Sequence, residues 1–354
     1  MIVPQTYKQS APSRKRSFST LINIALALCA ITIPACQRQK ESTPADSANR
    51  HLKVALLTPG PISDQSWNAG AYQGLLRIRD SLGAQVSHIQ TKSPAEFEEN
   101  FRQYGAQGYD LVFGHGDEFK EPAKAVGPSY PHTNYVITSG DSAQGNVSAM
   151  VFGFAAPSYL AGIIAGAMTR TNNLGVIGGV EIPPVRESFR AFAAGARSIN
   201  PRVRVVSSFI GNWEDVSAGK EQALAQLARG VDVIFQNADA AGLGMFQAVR
   251  EAKRAFIFGT NSNQNDVAPE VTLGSVVIDL PHALLSVGRE VQNGAFKPRV
   301  ITLGMREQVV DFVMNDALRK QIPEAARRAV DSVRAQIMKG TFTMPSESGR
   351  AAIP

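Results

Sequence analysis

Residues 53–58, Lys-Val-Ala-Leu-Leu-Thr, form a run of strand length whose interior, from Val54 to Leu57, carries no polar alternation. A strand with one face in water alternates apolar and polar residues. An unbroken apolar run predicts instead a strand covered on both faces, as in a parallel sheet between helix layers. Pro59, Gly60 and Pro61 stop the run, and Ser63 or Asp64 stands where it can cap a helix reaching to about Ser81, with Tyr72, Leu75, Leu76 and Ile78 turned inward. The loop between strand and helix lies at a strand's carboxyl end, where open parallel sheets place their ligands. An ordinary loop whose Trp67 merely covers the core edge fits the same residues, so this stretch alone does not decide between the two.

The pattern recurs along the chain. Strand-length runs at 54–57, 85–90, 111–113, 135–138 and 147–152 alternate with segments able to be helical, such as 94–104 and 117–126. A second series starts at Pro157: a small-residue helix at 159–168, then strands at 174–179, 203–209, 231–235 and 256–258, with helices at 184–199, 216–228 and 241–252. A further strand at 271–277 and helix at 280–291 follow. Alternation of this kind predicts an α/β fold, and 354 residues with 44% hydrophobic content suffice for two lobes of ordinary size. The expected division gives 51–153 to the first lobe, completed by about 278–295, and 154–277 to the second, completed by about 296–345. Crossings between lobes are expected at 152–155, at 277–279 and after Gly294.

The N-terminal stretch has a different chemistry. Lys8, Arg14, Lys15 and Arg16 precede an apolar run from Phe18 to Ala35, and no acid occurs before Cys36. This predicts a secretory signal over 1–35. Residues 36–50 are polar, lack large apolar side chains and read as a flexible tether. Losing the four basic residues before Cys36 takes the formal charge from +6 to +2, so the basic character is mostly targeting charge and gives no footing for nucleic-acid binding. Cys29 would leave with the signal, so the domain beyond Cys36 contains no disulfide.

Catalytic patterns are missing. Five scattered histidines have no metal-ligand spacing, and neither a nucleophile elbow nor a phosphate-binding loop occurs. Gly242-Leu-Gly244 begins like a dinucleotide fingerprint, but Gln247 stands where its third glycine belongs, so the segment reads as a helix start facing a cleft. No cofactor and no metal are expected, and an enzyme is the minority reading. What recurs is a polar or aromatic group just beyond a strand: Asp64 to Asn68, Gly114-His115-Gly116, Ser139 to Asp141, Trp213, Asn237 to Asp239, Asn261 to Gln264, and Asp279. Both tryptophans of the chain lie on such loops. A cleft lined this way suits a small, flat, polar ligand, with aromatics on its faces and amides or carboxylates on its edge.

Several of these stretches together resemble one family. Asp64-Gln-Ser66-Trp67-Asn68 looks like the Asp-x-Ser-Phe-Asn signature of the basic membrane protein family, the lipoprotein ligand receptors of ABC importers that include purine nucleoside receptors. Asp110 to Gly116 followed by Glu118-Phe119, Ser158 to Gly162, Leu174 to Gly179, and Asp215 with Gly219-Lys-Glu221 extend the likeness over about 53–345. The resemblance implies a type I periplasmic binding protein fold: two Rossmann-like lobes with parallel sheets joined by a three-strand hinge. It implies a purine nucleoside or base as ligand, ABC permease and ATPase subunits as partners, and acylation at Cys36, because Ile33-Pro-Ala-Cys36 resembles a lipobox. The expected product is an exported, membrane-anchored monomer. Trp67 and Trp213 take the places of the two aromatics that sandwich the purine. Asn68 is the expected base-edge contact, while Asp64 either joins it or caps the helix. The full expected ligand set is Asp64, Ser66, Trp67, Asn68, His115, Gly116, Phe154, Trp213, Asn237, Asn261, Asn263 and Asp279. The chain also departs from the pattern. The family's Gly-Val-Asp-x-Asp-Gln reads Gly259-Thr-Asn261-Ser-Asn263-Gln264 here, so the Asp that would hold ribose hydroxyls is Asn261. An amide gives up the charge-assisted bond, about twice as strong as a neutral one. A ligand sensor without a transport role, or a nucleoside-processing enzyme, remain alternatives at this point.

Overall fold

The computed structural model describes residues 51–345; the signal segment, Cys36 and the tether lie outside them. Two six-stranded sheets organise the chain. The first contains β1 (Lys53–Thr58), β2 (Gln85–Gln90), β3 (Leu111–His115), β4 (Asn134–Thr138), β5 (Val147–Phe152) and the late β11 (Val300–Leu303), in the order β11-β5-β4-β3-β1-β2, all parallel. The second contains β6 (Asn173–Gly178), β7 (Arg204–Phe209), β8 (Val233–Asn237), β9 (Phe256–Asn261), β10 (Thr272–Ile278) and β12 (Val310–Met314), in the order β12-β10-β9-β8-β6-β7. There only β12 runs antiparallel, against β10. Each sheet repeats one winding: the first strand of the lobe sits between its second and third. The strand order therefore reverses beside β1 and beside β6, which opens a crevice at their carboxyl ends.

Helices cover both faces. The first sheet carries α1 (Trp67–Leu82), α2 (Pro94–Ala106), α3 (Lys120–Val126) and α8 (Leu280–Gln292), which packs along α1. The second carries α4 (Ala155–Met168), α5 (Pro183–Ile199), α6 (Val216–Ala228), α7 (Asp239–Ala252) and α9 (Glu324–Lys339). The apolar run of β1 is buried from Val54 to Thr58, as a strand between two helix layers must be. Phenylalanines fill the second lobe, with Phe192 stacked on Phe235 at 4.8 Å and Phe258 edge-on to both. Each such buried ring contributes roughly 1.5–3 kcal/mol.

Two helix pairs meet backbone to backbone. A Cβ at Gly195 of α5 would lie 2.0 Å from the Tyr159 carbonyl oxygen of α4, and one at Gly244 of α7 would lie 1.9 Å from the Val216 carbonyl oxygen of α6. Gly244 is therefore a packing glycine, and its dinucleotide-like spacing comes from helix contact.

One expected boundary moves. The last crossing falls after Gly294 as expected, between Leu303 and Val310, where β12 enters the second sheet, but about 296–345 do not all belong to the second lobe, because β11 extends the first sheet by pairing with β5. The other two crossings lie between β5 and α4 and between β10 and α8.

Candidate functional site

A cavity of about 1030 Å³ lies between the lobes. Its walls come from the carboxyl ends of β1, β3, β4 and β5 on one side and of β6, β7, β8 and β9 on the other. Both crevices made by the strand order therefore face one space.

Trp67 opens α1 and is half-buried on the cavity wall. His115, the last residue of β3, stacks on it with centroids 4.0 Å apart and planes 19° apart, while Phe152 meets its edge at 5.8 Å. His115 Nε2 lies 3.0 Å from the Trp67 carbonyl, which can only accept, so that nitrogen carries the proton. Nδ1 then accepts from the Thr138 hydroxyl at 2.9 Å. Complete burial pushes His115 down to about 3, so the imidazole is neutral. With one indole face covered by His115, the other is left for the cavity.

Trp213 stands in the loop after β7 and lines the same cavity from the second lobe. A Cβ at Gly179 would fall 2.1 Å from its Cε3, so the indole rests directly on glycine backbone. The Trp213 carbonyl accepts from the Ala241 N–H at 3.0 Å, tying the loop to α7.

Asp64 is a helix cap. Its carboxylate accepts from the backbone N–H groups of Ser66, Asn68 and Ala69 and from Asn68 Nδ2, at 2.8–2.9 Å. These bonds satisfy the orphan donors of the first turn of α1. They also fix the Asn68 amide with its NH₂ on Asp64, leaving Asn68 Oδ1 buried without a partner on a residue that lines the cavity.

The loop after β1 reaches the other lobe. The Ser66 hydroxyl donates to Asp239 Oδ1 at 3.2 Å, and Asn261 Nδ2 donates to the same oxygen at 2.8 Å. Ser262 Oγ donates to the Ser66 carbonyl at 3.0 Å and Gln264 Nε2 to that of Gln65 at 3.3 Å. Burial, then the nearby Asp64 charge, pushes Asp239 up to about 8, although Ser66 and Asn261 favour its ionised form. Ser139, Asp239 and Asn261 hold φ angles of 63°, 48° and 67° and all line the cavity. Left-handed backbone at non-glycine residues is uncommon and gathers at functional sites.

Eight of the twelve expected residues line the cavity: Asp64, Trp67, Asn68, Gly116, Phe154, Trp213, Asn237 and Asn261. Four do not. Ser66 bonds across the lobes and His115 sits behind Trp67. Asn263 is exposed and accepts from the Asn265 N–H, while Asp279 caps α8 by accepting from the His282 N–H at 2.9 Å. The cavity residues missing from that set include Asp239 and Glu118. The signal for Asp239 was present, since it belongs to the strand-end group Asn237-Ala-Asp239. Asn261, which stands where the family pattern has an Asp, donates to the Asp239 carboxyl. Glu118 opens onto the cavity, yet the protein around it pushes its carboxyl up through burial and then through Asp117.

Two α/β lobes enclosing an aromatic-walled cavity between their strand ends are an architecture suited to enclosing a small molecule. The chain belongs to the Bmp family, described as ABC transporter substrate-binding protein PnrA-like, whose model matches residues 51–347. The nucleoside-binding protein BmpA of the ABC transporter of Lactococcus lactis subsp. cremoris is 26% identical over 347 residues, covering 91% of this chain and 97% of that protein. A purine-binding protein of Brucella abortus is 27% identical over 307 residues, covering 85% and 86% respectively. Among solved structures, a solute-binding protein of an ABC transporter system from Aeropyrum pernix K1 shares the fold with a TM-score of 0.76 at 24% identity, covering 84% of this chain and 94% of that one. The type I periplasmic binding fold expected from the sequence is the fold observed.

Proposed function

We propose that this chain is the ligand-binding subunit of an ABC importer and holds a purine nucleoside or free purine base between its lobes. The observation that carries the reading is the pair of indoles: Trp67 from the first lobe and Trp213 from the second border one cavity, each backed on its own side, by His115 and by the Gly179 backbone. A flat ring between them gains two stacking faces. Asn68 Oδ1 offers an acceptor to an N–H on the ring edge, and Asp239 brings a carboxyl group to the same cavity. The reading assigns binding and no chemistry to the site. Two relatives whose names specify nucleoside or purine binding support the ligand class. Mass spectrometry of the protein purified natively from its source is the test. A purine compound released on denaturation at one per chain is the expected result, and a bound compound with no flat heterocycle contradicts it.

The lipid anchor belongs to the same proposal. Acylation of Cys36 would place the binding domain at the membrane on the 36–50 tether, where a permease can receive ligand. No helix among the described residues is long and apolar enough to cross a membrane. Cys36→Ala is expected to release the protein into the soluble fraction with ligand affinity unchanged. Membrane retention equal to wild type rejects the anchor.

A further inference from the structure

The charge of the cavity is one-sided. Eight carboxyl-bearing residues line it against a single cationic side chain, Lys120. Lys120 is already engaged, 3.5 Å from Asp117 and 3.2 Å from Asp141. Asp64 is occupied by the amides of α1, and Asp215 caps α6 by accepting from the Ala218 N–H. That leaves Glu118, Glu187, Glu214 and Asp239 on the wall with no ion pair among the described residues. On Asp239 the hydrogen bonds from Ser66 and Asn261 both fall on Oδ1.

The hydrogen-bonding inventory leans the same way. Asn68 spends its NH₂ on Asp64 and keeps a buried acceptor, Oδ1, without a partner. Asn261 spends its NH₂ on Asp239 and Ser66. The wall carries carboxyl groups in excess and has committed its amide donors, so its complement is a molecule rich in donors and carrying positive charge, whose arrival displaces the proton that Asp239 keeps up to about 8 in the ligand-free protein. An anion entering this space would meet carboxylates of like charge and no unengaged cation among the described residues.

From this one-sided wall we infer that the physiological ligand is a flat heterocycle bearing a positive charge, seated between Trp67 and Trp213 with its cationic edge toward Asp239 and Glu118, and that phosphorylated relatives are excluded. The inference rests on the flat-ring site proposed above and adds the charge of what enters it. A cation over an indole face gains further attraction from the ring quadrupole. Asp239 is buried and its carboxyl is pushed up, as a buried acid's is when nothing positive stands beside it, and a cationic ligand removes that cause.

The test is calorimetry at pH 7 and low salt on protein freed of ligand. The probes are adenosine, which is neutral; 1-methyladenosine, whose ring is cationic at that pH; adenosine monophosphate, which is anionic; and thiamine, a cationic heterocycle that is not a purine. The expected result is 1-methyladenosine tighter than adenosine by at least tenfold and the monophosphate weaker than adenosine by at least tenfold. Asp239→Asn, and independently Glu118→Gln, should each shrink the first ratio at least threefold. Adenosine binding as tightly as 1-methyladenosine, or ratios unmoved in both variants, overturns the charge inference and leaves the purine reading standing. Thiamine binding while all three adenine compounds fail keeps the charge inference and overturns the purine reading. Failure of all four probes overturns both.

Discussion

Asp64 and Asp239 sit on opposite walls of one cleft, and their surroundings give them opposite roles. Asp64 is surrounded by donors and holds the start of α1 in shape; Asp239 is buried with two donors on one oxygen and a like charge nearby. The consequence for stability follows from linkage. In the unfolded chain Asp239 loses its proton near 3.8, whereas in the folded chain it keeps it to about 8. Between those values the native state binds more protons, so stability falls as pH rises from about 4 to 8. His115 does the reverse. Its folded value of about 3 lies below the ordinary 6.5, so stability is lost as pH falls from 6.5 towards 3. Denaturant unfolding across pH should show Asp239→Asn gaining on wild type steadily from pH 4 to 8, and His115→Gln losing part of the acid limb. A constant difference between Asp239→Asn and wild type over that range would mean the carboxyl is not buried as described. The sequence disclosed the residue type at each strand end but not its orientation. Asn263 and Asp279 turn to local backbone donors, as short polar side chains do at turns and caps, while Asp239 faces the cavity through a left-handed backbone.

At the scale of elements, β1, β2, β5 and α6 were read from the sequence with the bounds they have, or within one residue. Each is an unbroken run closed by turn or capping residues. The elements after α8 are not legible in the sequence, for physical reasons. β11 has four residues at a sheet edge with Val300 and Thr302 exposed, and α9 buries only Ala326, Val330 and Ile337, too thin a stripe to stand out among its charges. The loop after β6 carries a prediction of its own. Gly179→Ala puts a Cβ where the Trp213 ring lies, so the indole must leave its seat. Ligand affinity should fall about as far as in Trp213→Ala, while the melting temperature moves little because Trp213 is half-exposed and outside the buried core. Unchanged affinity in Gly179→Ala would show that Trp213 need not rest on that backbone to bind ligand. Gly244→Ala makes a useful contrast. Its Cβ meets the Val216 carbonyl, which is backbone, so the expected loss is stability, on the order of 1–3 kcal/mol, rather than affinity.

For the whole molecule, the two lobes with their repeated winding were legible because the alternation of strand and helix continues through the crossings. The return of the chain to the first sheet before the last crossing was not, since it lasts only four residues. The same winding in both lobes aims two crevices at one space, and that placement, rather than any single motif, makes the protein a binder. The central claim is that a flat ring is held between one tryptophan from each lobe. Stacking on an aromatic platform is worth roughly 1–3 kcal/mol per base, and 1.4 kcal/mol is tenfold in affinity. Calorimetric titration of ligand-free wild type, Trp67→Ala and Trp213→Ala with adenosine and hypoxanthine measures it directly. One saturable site in wild type for at least one of the two, and a loss of about ten- to a hundred-fold in each variant, are the expected results. Wild-type affinity retained in both variants, with the loss appearing instead as a lowered melting temperature of the ligand-free protein, would contradict it.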